Sequence, residues 1–174
     1  YATGVINFGT YVDLLLPPLA IYMWADGDYD PGIAESFGYD DDGNYIVTLK
    51  DGYTWSDGTP IVAEDLVTTF NTGYLINWSV WQNLDSVEVV DELTAKFHIR
   101  DGSPLVERRI LVENLRPTSV YGEFGERAGE LIAEGVGSSE DAFTELLNEL
   151  TEFRPAEFVS GGPYLLLAEN ISDA

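Results

Sequence analysis

The sequence predicts an α+β fold with a mixed, largely antiparallel sheet and flanking helices. Segments in which apolar and polar residues alternate come in pairs joined by turn residues, as in β-hairpins, and segments with helical periodicity separate these pairs. The hydrophobic share of 45% is that of a folded protein. Because a chain of 174 residues buries roughly 70% of its unfolded surface, we expect residues 1–174 to form one domain.

The N-terminal part of the chain is apolar and rich in turns. Val5, Ile6 and Phe8 favour a strand. The Pro17-Pro18 pair predicts an extended segment followed by a short helix over Leu19–Trp24. The acidic stretch 26–32 is then expected to be a loop.

Two antiparallel hairpins are predicted further along the chain. An acidic turn joins Ser36–Tyr39 to Tyr45–Lys50, and a tight turn joins Ser86–Val90 to Thr94–Arg100. In each second strand every other residue is apolar, which predicts one buried face per strand.

The remaining elements are helices and one final strand. Ala63–Leu75 has an apolar face and two acidic residues in its first turn, where the helix dipole favours negative charge. The other predicted elements are a helix from Ser103-Pro104 to about Asn114, a weaker helix over Gly125–Glu134, a helix capped by Ser138 with Asp141 and ending at Phe153, and a strand over Tyr164–Ala168.

The charge balance is the most unusual property of the composition. Eight basic residues oppose 31 acidic ones, which gives a formal net charge of −23. Such a surface repels phosphate backbones and anionic headgroups, so nucleic acid is not an expected partner. Because the acids are spread along the chain and lysine is almost absent, we expect a protein adapted to high salt, with an ordinary acidic protein as the alternative.

Cysteine and histidine, two residue types that many enzymes use for catalysis, are scarce. The chain has no cysteine, and its one histidine, His98, lies on the polar face of a predicted strand, where a solvated or hydrogen-bonded role is expected. Asp26, Asp28 and Asp30 have the spacing of a calcium loop but lack its glycine and its bidentate glutamate, so we expect no metal site and no cofactor. A carboxylate-dependent hydrolase stays open as an alternative, because many acid pairs exist and none stands out.

An aromatic segment follows the predicted helix Ala63–Leu75. This segment contains Trp78 and Trp81, with Tyr74 before them. Large aromatic side chains often line binding clefts, because a flat ring gives much contact area and loses little rotamer entropy on binding. The alternative is that these rings pack the helix onto the sheet.

One region resembles a known family. Residues 33–37 read I-A-E-S-F, residues 50–60 read K-D-G-Y-T-W-S-D-G-T-P, and residues 63–67 read A-E-D-L-V. Their order resembles the signature region of the family-5 extracellular solute-binding proteins, the oligopeptide, dipeptide and nickel receptors of ABC importers. The matching signature residues, for which we expect structural roles, are Trp55, Asp57, Gly58, Thr59, Pro60, Ala63 and Asp65.

The resemblance continues downstream and covers about residues 31–168. Arg116–Tyr121 is similar to an I-x-P-x-x-V-Y segment, and Gly162, Pro163 and Tyr164 are similar to a G-T-G-P-Y segment of the family. Val62 departs from the pattern, because family members usually have threonine or serine there as a helix cap.

The resemblance implies a subdomain of a type II periplasmic-binding-protein-like fold, as a fragment of the N-terminal lobe of a larger two-lobe protein. It implies a non-enzymatic receptor, outside the cell or in the periplasm and associated with the cell surface, with a lipid anchor as one option. The implied partners are a peptide or other small solute, the permease subunits and the remaining lobe. Trp78, Trp81 and Tyr74 are then the expected ligand contacts. Besides the hydrolase, a surface module for protein contacts is an alternative.

Overall fold

The computed structural model describes residues 12–165, except for the side chain of Asp13. The predicted strand at Val5–Phe8 and the last three residues of the predicted strand Tyr164–Ala168 lie outside this range. The strands are β1 (Ala20–Met23), β2 (Asp28–Pro31), β3 (Ala34–Tyr39), β4 (Tyr45–Leu49), β5 (Leu84–Val89) and β6 (Thr94–Ile99). The helices are α1 (Val12–Leu15), α2 (Ala63–Leu75), α3 (Val106–Leu111), α4 (Thr118–Glu134) and α5 (Asp141–Glu152), with a 3₁₀ turn at Ser79–Gln82.

The main sheet has four antiparallel strands in the order β3-β4-β6-β5, so the α+β class is confirmed. Both predicted hairpins are present, as β3–β4 and β5–β6. The alternation of apolar and polar residues fixes which face of each strand is buried, and this specifies the pairing register. His98 lies on β6 and pairs at 2.8 Å with Glu88 of the neighbouring strand β5, which confirms its hydrogen-bonded role.

Helix α2 packs across the sheet and has the predicted bounds. The rings of Phe70 on α2 and Phe97 on β6 meet edge to face, with centroids 4.7 Å apart, in the centre of the core. A second, smaller apolar cluster lies between α2, α4 and α5 and includes Tyr121, Phe143 and Leu150.

Several sequence expectations are wrong. Residues 20–23 and 28–31 form a two-stranded ribbon, β1 and β2, where a helix and a loop are expected. The cross-strand contact of Tyr22 and Tyr29, with centroids 5.0 Å apart, stabilises this ribbon and overrides the local helical pattern. Helix α3 is shorter than predicted, because residues 112–116 leave the helix and run beside residues 16–19.

The C-terminal helices also differ from expectation. Helix α4 starts seven residues earlier than predicted, at Thr118, although it contains several glycines. These glycines let α4 approach α2 closely: a Cβ on Gly125 would lie 2.9 Å from the Thr68 backbone. Ser138 does not cap α5, because Glu140 occupies the N-cap position. The Glu140 side chain accepts from Gly137 N and makes no capping bond to the helix. Tyr164 and Leu165 are irregular rather than extended.

No helix among residues 12–165 combines the length and the apolar character that crossing a bilayer requires.

Candidate functional site

The signature residues form a compact loop whose backbone closes on itself. Residues 53–61 fold back so that Trp55 N donates to Thr59 O at 2.8 Å and Ile61 N donates to Tyr53 O at 2.9 Å. Gly58 has a φ of 87°, which a residue with a side chain rarely adopts, so glycine suits the turn at Asp57-Gly58. Pro60 is exposed and pairs with Thr54 as an isolated bridge.

Asp65, in the first turn of α2, is the centre of this arrangement. Its side chain is 2% exposed and its carboxylate accepts three hydrogen bonds. Trp55 Nε1 and Val62 N donate to Oδ2, each at 3.0 Å, and Thr118 N donates to Oδ1 at 2.7 Å. The bond from Val62 N supplies an N-terminal contact for α2 that the valine side chain lacks, and the bond from Thr118 fixes the start of α4. Ala63, beside it, is fully buried.

Asp57 makes a second connection between the signature loop and α4. Its Oδ2 accepts from Ser119 Oγ at 2.6 Å, and its Oδ1 accepts from both N and Oγ1 of Thr59, at 2.9 and 2.6 Å. Burial opposes ionisation of this carboxyl group, but the hydrogen bonds from Ser119 and Thr59 prevail and hold the pKa of Asp57 below its usual value.

The signature loop also contacts two segments from opposite ends of the described chain, which run side by side next to it. We call residues 14–19 the N-terminal crossing and residues 160–164 the C-terminal crossing. Ser56 N donates to Ser160 O at 2.7 Å, and Ser160 Oγ donates to Leu15 O at 2.6 Å. Gly162 N and Tyr164 N donate to Leu15 O and Leu14 O, at 3.0 and 3.1 Å. Signature loop, α2, α4 and both crossings therefore form one hydrogen-bonded unit, which we call the signature junction.

Trp55 fills the space beneath the junction. It is 2% exposed, and a Cβ on Gly161 would lie 2.7 Å from its ring. Trp55 therefore serves as a large apolar anchor that packs against the C-terminal crossing.

An open pocket of about 390 Å³ lies beside the junction. Its walls are largely apolar, because prolines from both crossings, Ile33 and the half-exposed ring of Tyr53 provide them. The lining residues are Pro17, Pro18, Gly32, Ile33, Tyr53, Gly161, Gly162 and Pro163. Its volume is within the range of pockets that hold small ligands, about 300 to 1,000 Å³.

The three aromatic residues predicted to contact ligand lie together at the end of α2, away from the residues that line this pocket. Trp81 is 9% exposed and its Nε1 donates to Phe70 O at 2.9 Å. Tyr74 packs against Trp81, and its hydroxyl donates to Val136 O at 2.7 Å. Trp78 is half-buried, and a Cβ on Gly73 would overlap its ring. These contacts attach the rings to the core, and their role toward a ligand stays a prediction.

Arg116 contacts Trp78, and its charge acts on Glu113; neither residue is a predicted site residue. The Arg116 guanidinium lies 4.8 Å from the Trp78 ring centroid, and its Nη1 donates to Thr72 Oγ1 at 3.0 Å. Burial raises the pKa of Glu113 to about 7, against the opposing effect of Arg116. The sequence signal for Glu113 was an acid within the apolar run of residues 110–115.

No group of three or more acidic or histidine side chains in residues 12–165 is placed to hold a metal ion. Asp26, Asp28 and Asp30 belong to the exposed ribbon and its turn.

The fold occurs in solved structures of receptors. A periplasmic oligopeptide-binding protein of an oligopeptide ABC transporter from Thermotoga maritima superposes with a TM-score of 0.66 and 25% identity, over 89% of this chain and 26% of that chain. The mannohexaose-bound form of that protein gives a TM-score of 0.63 over the same shares, again at 25% identity. A putative peptide-binding protein from Clostridium difficile gives 0.57 at 26% identity, over 86% of this chain and 28% of that chain.

The chain thus spans about a quarter of the length of these structures. None of the curated proteins compared with the chain matches it. The sequence profile named "Bacterial extracellular solute-binding proteins, family 5 Middle" matches residues 28–169, a range that contains the signature loop, α2, α4 and the C-terminal crossing. The chain belongs to this family of extracellular solute-binding proteins.

Proposed function

We propose that the chain is part of the substrate-binding component of an ABC importer, which captures a peptide or similar small solute outside the cell and delivers it to the permease. The observation that carries the proposal is the family match over residues 28–169. The signature junction supports it, because residues that resemble the family's motifs build it. Trp55 bonds to α2 and Asp57 accepts from α4, whereas Gly162 and Tyr164 bond to the N-terminal crossing.

Two solute classes have support. Relatives of similar fold include an oligopeptide-binding protein and a putative peptide-binding protein, which favours peptides. The structure of the Thermotoga maritima protein with mannohexaose makes an oligosaccharide the second candidate.

Residues 1–174 are then a fragment of the N-terminal lobe of a larger two-lobe receptor, with the remaining lobe and the permease subunits as partners. The support is that the chain covers 26% to 28% of the similar receptors. The receptor lies outside the cell or in the periplasm and is associated with the cell surface, with a lipid anchor as one mode of attachment.

Trp78 is the member of the aromatic group that we propose as a ligand contact, with Trp81 and Tyr74 beside it. Trp78 keeps part of its ring accessible, whereas Phe70, Gly73 and Arg116 hold the rest in place. A rigid ring with an accessible edge gives contact area at little entropic cost.

The receptor catalyses no reaction in this proposal, because the family is one of solute-binding proteins. A secreted hydrolase would need a carboxyl group of raised pKa next to a second catalytic carboxylate. Glu113 has the raised pKa, but Arg116 is the charged group that acts on it.

Thermal unfolding of the full-length receptor with a panel of di- to pentapeptides, oligosaccharides and metal ions tests the proposal. We expect the melting temperature to rise with peptides, by an amount that grows with concentration above the dissociation constant. A panel in which no solute raises the melting temperature would contradict the proposal.

We also propose that the acid excess adapts the surface to high salt. The net charge is −23, and among the residues that the structure describes only three lysine or arginine side chains pair with carboxylates. Because the screening length falls from about 10 Å at 0.1 M to about 3 Å at 1 M salt, we expect the melting temperature of the chain to rise between these KCl concentrations. A protein of similar size and near-zero net charge is the control. A melting temperature that stays level or falls would contradict this.

A further inference from the structure

The ribbon β1–β2 carries a cluster of aromatic rings that takes no part in the signature junction. Trp24, directly after β1, is 75% exposed, and the Tyr22 ring meets it edge to face with centroids 5.0 Å apart. Tyr29 on β2 packs against Tyr22 in turn. None of these three residues lines the pocket beside the junction. The cluster is therefore a separate surface feature, and its outermost ring is open to solvent.

Arg108 of helix α3 lies over two of these rings. Its guanidinium carbon is 4.9 Å from the Trp24 ring centroid and 5.4 Å from the Tyr22 ring centroid, both within the range of cation–π contacts. Three fully buried residues anchor α3 in the core, and these are Val106, Ile110 and Leu111. Because α3 is fixed in this way, the rings and the guanidinium keep a defined arrangement. We call Tyr22, Trp24 and Arg108 the aromatic–arginine patch.

Arg108 differs from the other basic residues in its partners. Of the other seven, three pair with carboxylates, and four donate to carbonyl or side-chain oxygens. Arg108 donates to no oxygen atom of residues 12–165, and its contacts there are with the two rings. The neighbouring Glu107 accepts from the Tyr45 hydroxyl at 3.1 Å instead. The patch thus presents a guanidinium whose donors are available, in a chain of net charge −23.

The chemistry of the patch fits a protein partner. Tryptophan, tyrosine and arginine are enriched among the residues that contribute most to binding energy in protein interfaces. A guanidinium binds a carboxylate through two parallel hydrogen bonds, and an accessible indole adds apolar contact area. A second copy of this chain is disfavoured as the occupant, because two molecules of net charge −23 repel each other. The same repulsion acts between this chain and anionic lipid headgroups.

We propose that the aromatic–arginine patch is a docking surface for the permease subunits, whose facing surface presents a carboxylate beside an apolar side chain. The carboxylate supplies the acceptor that Arg108 lacks within residues 12–165, and the apolar side chain covers Trp24. The inference rests on the proposed function, because the permease is the protein partner that this function requires outside the receptor itself. The rings keep the guanidinium from pairing with the many acids of its own chain, so it stays ready for the partner.

Binding of the full-length, solute-loaded receptor to its permease in lipid nanodiscs tests the proposal. We expect Arg108→Gln to weaken the complex about tenfold, because it removes a charge-assisted hydrogen-bond donor. Trp24→Ser should weaken the complex by at least as much. Arg154→Gln, at an exposed position after α5, is the matched control, since it removes the same charge and should leave the affinity unchanged. All three variants should bind solute as wild type does when the permease is absent.

Hydroxyl-radical footprinting read by mass spectrometry locates the contact. We expect Trp24 to be oxidised in the free full-length receptor and protected by permease nanodiscs, but not by empty nanodiscs of the same lipid. Trp55 and Trp81, which are 2% and 9% exposed, are internal references that should stay unreactive throughout. Protection of Trp24 in the free receptor would show that the remaining lobe covers the patch and would overturn the proposal. Protection by empty nanodiscs would overturn it in favour of a lipid surface.

The outcomes separate docking from the receptor function. If the wild-type receptor binds solute and permease, and Arg108→Gln and Trp24→Ser bind the permease equally well, the docking surface is overturned and the receptor function stands. If Arg108→Gln weakens solute binding by the isolated receptor, the patch is a solute contact and the docking surface is overturned as well. If the wild-type receptor binds neither solute nor permease, the receptor function fails and the docking surface with it.

Discussion

Replacing Asp65 by asparagine is expected to lower the free energy of unfolding by about 3 kcal/mol. The carboxylate receives hydrogen bonds from Trp55, Val62 and Thr118 at one buried position. Asparagine offers a single acceptor oxygen and directs an NH₂ group toward at least one of these donors. The loss therefore includes an unsatisfied buried donor as well as the charge. Urea denaturation followed by tryptophan fluorescence measures the change.

Glu64→Gln is the matched control for this substitution. Glu64 is the exposed neighbour of Asp65 in the same first turn of α2, so the change removes one negative charge without a buried contact. We expect an effect within about 0.5 kcal/mol. If both variants lose equal stability, net charge rather than the hydrogen bonds of Asp65 holds the junction.

Gly162→Ala is expected to lower the free energy of unfolding by about 2 to 3 kcal/mol. A Cβ at this position would overlap the carbonyl group of Leu14 and lie 2.9 Å from Leu15 N. Because these atoms belong to the backbone of the other crossing, no side-chain rotation relieves the overlap. The two crossings must separate, which breaks the hydrogen bonds that Gly162 and Tyr164 of the C-terminal crossing donate to the N-terminal crossing. Chemical denaturation of variant and wild type measures the change.

Gly38→Ala, in strand β3, is the control for this glycine. A Cβ there meets no atom within 4 Å, so the variant tests the addition of a methyl group without the overlap. We expect the Gly38 variant to be as stable as wild type or slightly more stable, since alanine restricts the unfolded chain. A Gly162 variant of wild-type stability would mean that the crossings are loosely joined.

The sequence predicted those elements in which local preference and tertiary packing agree. Helix α2 and the two hairpins have their own periodicity and turns, so the structure follows the pattern. The ribbon β1–β2 was missed because its stability depends on tertiary contacts. Tyr22 packs against its cross-strand partner Tyr29, and the guanidinium of the distant Arg108 lies over the Tyr22 ring. The early start of α4 was missed because its glycines lower helix propensity, whereas their value lies in close packing against α2.

In the candidate site, too, the sequence did not predict the contacts that depend on tertiary packing. The resemblance identified Trp55, Asp57 and Asp65, and the structure explains their spacing, because a loop of this length places the indole and Asp57 against the starts of α2 and α4. The sequence did not indicate that Ser119 and Ser160 complete the junction, since both pair with residues far away in the chain.

The proposed function is that this chain belongs to a receptor that binds its solute and releases it unchanged. The most direct test is to incubate the full-length receptor with a peptide that raises its melting temperature, and to quantify bound and free peptide by mass spectrometry. We expect one peptide per receptor at saturation, with all of the peptide recovered intact after the receptor is unfolded. Cleavage of more peptide molecules than there are receptors would contradict it and would favour the hydrolase alternative.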